Sequence, residues 1–202
     1  MSRYTLHVMV YPSKIDRKKI VETALELLSQ EGEAALTLRR VAREIGVTPN
    51  ALYRLFESHD VLLAAVADAV AEQLLLAIEG GAVQGSPKVQ LRGLLSAYAA
   101  FAENNPDQYR VLLSANEEAW ADLPEPHFHA RLWDRCLQIV VPLVGADAAP
   151  DATVTLWGLL HGIWTLRQAG VLGGRKPTEI YEYAFDALID GLKPRPVADF
   201  SN

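Results

Sequence analysis

The residues best suited to chemistry in this chain fall into two groups of opposite character. The first is compact: Thr37, Arg39, Thr48, Pro49, Asn50, Ala51, Tyr53, Arg54 and His59 follow one another in a single short stretch. Asparagine and arginine pair bidentately with adenine and guanine edges, and hydroxyls at helix N-termini suit phosphate oxygens. The second group is spread out and aromatic: Tyr98, Phe101, Trp120, Phe128, Trp133, Trp157 and Trp164, interleaved with His161 and Arg167. Aromatic walls with a few polar anchors are what a pocket for a small apolar or aromatic molecule requires. Aromatic residues at helical spacing also fill cores, so the signal is the size of the group and no single member. His127 and His129 stand at a spacing open to metal, yet Cys136 is the lone cysteine and the nearby acids Asp122 and Glu125 complete no ligand set. No metal and no cofactor are expected.

Charge separates the same two regions. The chain of 202 residues carries −6 overall, but residues 1–60 hold nine lysines and arginines against eight acids, a balance of +1 that leaves −7 for the rest. The early cations bunch at Lys14, Arg17, Lys18 and Lys19, then at Arg39, Arg40 and Arg43, then at Arg54. Half the residues are apolar, which supplies a core and excludes a disordered chain. Asp68 and Glu72 interrupt the most apolar stretch, so no membrane partner is expected, and a single cysteine points to a reducing cytoplasm.

The elements that position these residues read as helices almost throughout. Apolar residues recur at three and four, with glycine or proline at intervals. Residues 1–12 form an arm. Ser13 with Asp16 resembles a capping box ahead of a first helix bearing Ile20, Ala24, Leu27 and Leu28. Thr37 caps a short second helix closed by Gly46, and Thr48-Pro49 opens a short third. A long fourth helix from His59 to Glu79 follows, then helices at Pro87, Pro106 and Phe128 (ending at Val141 before Pro142), one opened by Pro150, and a last one capped by Thr178. Residues 115–127 read as a loop. The expected fold is all-α, about nine helices: a helix-turn-helix unit over 13–58 and a helical regulatory and dimerisation unit over 59–202.

The wording of residues 20–64 is specific. Gly32, Thr37, Ala42, Gly46-Val47-Thr48 and Leu52-Tyr53-Arg54-Leu55-Phe56 closely resemble the N-terminal DNA-binding domain of the TetR family of transcriptional regulators. The resemblance implies phosphate contacts from Thr37, Thr48 and Tyr53 and base-edge contacts from Arg39, Asn50 and Arg54. His59 stands where the family usually has a lysine, which implies weaker or more pH-dependent binding. Trp157-Gly-Leu-Leu-His161-Gly162 is similar to a Trp-x-x-x-His-Gly signature of one subgroup of the family's C-terminal domains.

The expected function is therefore a ligand-responsive DNA-binding regulator, a repressor released from a palindromic double-stranded operator by a small apolar or aromatic effector. Its partners are that operator, the effector and a second copy. The homodimer would join through the last two helices, with Ile180, Ala184, Ala187 and Leu188 meeting Leu156, Leu160 and Ile163 across a two-fold axis. Two other readings stand beside it: a helical dimer that has lost DNA binding, and a small-molecule-binding enzyme. No Glu-x-x-His pair, Gly-x-Ser-x-Gly elbow or phosphate loop supports the last.

Overall fold

The structure is a computed structural model and describes residues 16–192 except 116, 122 and 124–126. The arm over 1–12, Ser13, Lys14, Asp122 and Glu125 lie outside the described residues. Among the described residues there are ten α-helices and no strand: α1 (Arg17–Glu31), α2 (Leu38–Ile45), α3 (Pro49–Tyr53), α4 (His59–Gly80), α5 (Pro87–Asn104), α6 (Pro106–Ser114), α7 (Glu117–Ala121), α8 (Phe128–Val144), α9 (Ala149–Gln168) and α10 (Pro177–Gly191). A 3₁₀ turn, Glu33–Ala35, links α1 to α2.

Local chemistry explains most of these boundaries, and it moves several from their expected places. Asp16 is itself the N-cap of α1, its carboxylate accepting the Lys19 N–H at 2.8 Å, rather than a residue inside the first turn. The tenth helix is α7, one short turn inside the stretch expected to be a loop. The α8 helix runs through Pro142 to Val144, because a proline in the last turn removes only one hydrogen bond; Gly145, at φ 85°, ends it. Lys176 rather than Thr178 stands at the N-cap of α10, with Pro177 pre-set for the first helical position.

Two apolar cores stack along α4. The first joins Ile20, Ala24 and Leu28 of α1, Val41 and Ala42 of α2, and Leu52 and Phe56 to Val61, Leu62 and Ala67 of α4. The second joins Val70, Leu74 and Ile78 of α4 to α5, α6, α8, α9 and α10. Val111, Ala119 and Leu123 reach back from the second half to close the first core. The α4 helix is long and apolar enough to cross a membrane, but here it is the central helix, with eleven residues buried and α1, α5, α6, α7 and α8 around it. Its one buried charged residue, Asp68, falls between the two cores.

Candidate nucleic-acid interface and ligand cavity

The helix-turn-helix is built by two caps and one glycine. The Thr37 hydroxyl accepts the Arg40 N–H at 3.1 Å and so closes the N-terminus of α2. Gly46 ends α2 in the left-handed region (φ 76°, ψ 35°), and the Val47 N–H returns to the Ala42 carbonyl at 2.9 Å, which swings the chain into α3. Ala42, fully buried, lets α2 and α3 cross closely. Leu52 and Phe56 anchor α3 from beneath, leaving Thr48, Pro49, Asn50, Tyr53 and Arg54 exposed on one short element, with Ala51 half-buried. The Thr48 hydroxyl makes no capping bond, so its oxygen is available. Arg39 is exposed on α2, and His59 is exposed at the start of α4, 3.5 Å from the Asp60 carboxylate. The structure thus brings all nine expected residues to one end of the molecule.

The other early cations divide. Arg40 is held by Glu31 (2.5 Å) and Glu44 (2.6 Å) and braces α1 against α2. Its hydrogen bond holds the Glu31 carboxyl below the usual range. Arg17 turns inward: its guanidinium lies 4.2 Å over the Phe56 ring and donates to the Leu55 carbonyl, tying the start of α1 to the end of the recognition unit. Nothing in the local pattern marks Arg17 for that role, since the contact spans 38 residues. Arg39, Arg43 and Arg54 form no ion pair with any other described residue.

In the second half, helices α5, α6, α8 and α9 enclose a cavity of about 590 Å³. Of the expected ligand residues, Tyr98, Trp120, Trp133 and Trp157 line it. The rest stand elsewhere, and packing explains each. Phe101 is buried in the core. Trp164 is buried, its indole N–H donating to the Ala102 carbonyl at 3.2 Å and its ring edge-on to Tyr109 at 4.8 Å. His161 stacks beside Trp164, and Arg167 is paired with Glu103. Phe128 lines a separate groove between α1 and α4, which Arg17 and Asp68 share.

Beside the aliphatic residues of its wall, three lining residues stand outside the expected ligand set: His129, Cys136 and Thr153. On α8, His129, Leu132, Trp133, Cys136 and Val140 recur at three and four, and this stripe faces the cavity. Burial pushes the Cys136 thiol up to about 11, so it lacks the thiolate that nucleophilic chemistry needs. Burial also drives Tyr98 well above its ordinary value, with Tyr109 adding to the effect, so the phenol stays neutral. The His127 and His129 rings lie 5.5 Å apart, but His129 is engaged by Asp68, and no group of three possible metal ligands occurs among the described residues.

Two family models match the two halves of this architecture: bacterial regulatory proteins of the tetR family over residues 20–66, and the tetracyclin repressor-like C-terminal domain over residues 91–192. Solved structures share the fold. A possible TetR family transcriptional regulator from Streptomyces coelicolor A3(2) is 24% identical with a TM-score of 0.69, covering 87% of this chain and 98% of its own. BioQ with its double-stranded DNA operator is 21% identical (TM-score 0.66; 88% of this chain, 98% of that one). A single-residue variant of TetR from Acinetobacter baumannii AYE in complex with minocycline is 20% identical (TM-score 0.67; 88% and 96%). With both halves matched by family models, the second spanning half its length, the chain belongs to the TetR family of bacterial regulatory proteins.

Proposed function

We propose that this regulator is a homodimeric repressor that α2 and α3 dock on a palindromic operator and that a small apolar or aromatic effector, bound in the 590 Å³ cavity, releases. Residues 13–58 are the DNA-binding unit and 59–202 the regulatory and dimerisation unit. Thr37, Thr48 and Tyr53 take phosphates. Arg39, Asn50 and Arg54 take base edges, with Pro49 and Ala51 shaping the recognition surface and His59 completing the phosphate contacts. The observation that carries the reading is α4, which contributes side chains to both cores and so gives one rigid element two ends, one beside the recognition unit and one in the second core, whose Leu91, Leu94 and Leu95 also line the cavity.

The dimer face supported by burial differs from the one expected. Leu156, Leu160 and Ile163 point into the protomer's own core at 4%, 3% and 6% exposure, and Ile180, Ala184 and Leu188 pack against it. The exposed large apolar residues of the last two helices are instead Val154, Trp157 and Leu166 on α9 and Tyr183 on α10. Gly158 and Gly162 have open space above them there, so a second helix approaches closely. The Trp157–Gly162 segment thus serves two roles, with Trp157 in the cavity wall and the glycines on the contact face. Selection of bound fragments from random genomic DNA, followed by titration across salt concentrations, tests the reading. A palindromic site with a steep salt dependence is expected, and binding without sequence preference would refute it.

A further inference from the structure

Apart from three tyrosines and Trp164, two polar side chains are buried among the described residues, Asp68 and Thr153, and both bear on the cavity. Thr153 lines it directly from α9, and its hydroxyl has no hydrogen-bond partner among the described residues. Asp68 acts through His129: one carboxylate oxygen accepts both the His129 backbone N–H at 3.0 Å and the ring Nδ1 at 2.8 Å. The His129 ring lies edge-on to Trp120, with centroids 3.7 Å apart, and forms part of the cavity wall. A carboxylate only accepts, so Nδ1 carries a proton, and Nε2 is the ring's remaining hydrogen-bonding atom. That nitrogen takes no partner among the described residues.

We infer that the effector is a neutral aromatic molecule bearing a hydroxyl, whose O–H donates to His129 Nε2, with Asp68 as the positioning residue that fixes the ring's tautomer. The inference rests on the reading of the cavity as the effector site. An O–H donor satisfies an Nε2 lone pair, which an ether or a plain hydrocarbon leaves unsatisfied. A carboxylate ligand is disfavoured. It would place a second negative charge near Asp68, in a cavity with no lysine or arginine among its described lining residues.

Four naphthalenes that differ in one group make the test: naphthalene, 1-naphthol, 1-methoxynaphthalene and 1-naphthoate, titrated calorimetrically into the full chain. We expect 1-naphthol to bind roughly tenfold more tightly than 1-methoxynaphthalene. In His129→Phe that ratio falls to about one, in Asp68→Leu, which offers no acceptor to Nδ1, it falls most of the way, and in His129→Gln, whose amide oxygen still accepts, part of it returns. Loss of packing alone would weaken all four ligands together and leave the ratio standing, so the ratio separates positioning from structural damage. Binding of the set with no hydroxyl preference, or with 1-naphthoate tightest, overturns this inference and leaves the effector cavity intact. Failure of all four to bind wild-type protein overturns the effector reading and this inference with it.

Discussion

At the scale of single residues, side chains of one type do different work according to what they touch. Asn50 and Arg54 stand free on the recognition element, so each change to alanine is expected to cost about 1–3 kcal/mol at the cognate operator and to relax preference at one base position. Tyr53→Phe should weaken all sequences equally, and binding measured on single-base operator variants separates the two patterns. Arg40 is already neutralised by Glu31 and Glu44, so Arg40→Ala should leave the salt slope of DNA binding almost unchanged. Arg17→Met removes a stacked guanidinium and its bond to the Leu55 carbonyl. The expected loss is about 1–2 kcal/mol of stability, read as a lower denaturant midpoint. The exposed residues of α2 and α3 proposed to meet DNA were legible as a surface because the caps and apolar anchors that turn them outward lie in adjacent residues. Arg17 and the Asp68–His129 couple were not, since contacts 38 and 61 residues apart leave no trace in a local pattern.

At the scale of elements, caps and faces decide. Thr37 and Thr48 both precede short helices, yet only Thr37 makes a capping bond. Thr37→Ala is therefore expected to cost about 1 kcal/mol of stability, whereas Thr48→Ala should leave thermal unfolding almost unmoved and weaken DNA binding. Gly46→Ala forces a side chain into the left-handed region and should cost about 1 kcal/mol, with open space around it sparing any clash. Turn chemistry of this kind is written in adjacent residues, which is why α2, α3 and their turn were readable in advance. The register of α9 was not readable. Both of its faces carry large apolar residues, and only the packing of α5, α8 and α10 around it decides that Leu156, Leu160 and Ile163 turn inward. The α7 turn escaped for a related reason: five residues carry too little periodicity to distinguish a helix from a loop.

At the scale of the whole molecule, the exposed apolar residues of α9 and α10 are the proposed contact between two copies. Leu166→Arg should give a folded monomer that has lost operator affinity, whereas Ala184→Arg, half-buried against the core, should reduce stability as well. Sedimentation velocity at micromolar concentration distinguishes these outcomes, and a stable wild-type monomer would remove the proposed interface. The first core has a different lesson. Its floor is laid by Val111, Ala119 and Leu123, which come from beyond α4. Regulators of this build invite the making of hybrids, in which the operator specificity of one is grafted onto the sensor of another by a crossover between residues 58 and 59. In this chain such a graft would seat a foreign head on three native side chains and on Val61–Ala67 of α4. A hybrid that exchanges those positions together with residues 13–58 should fold and answer its sensor, while the simple crossover should inherit a cavity at the joint.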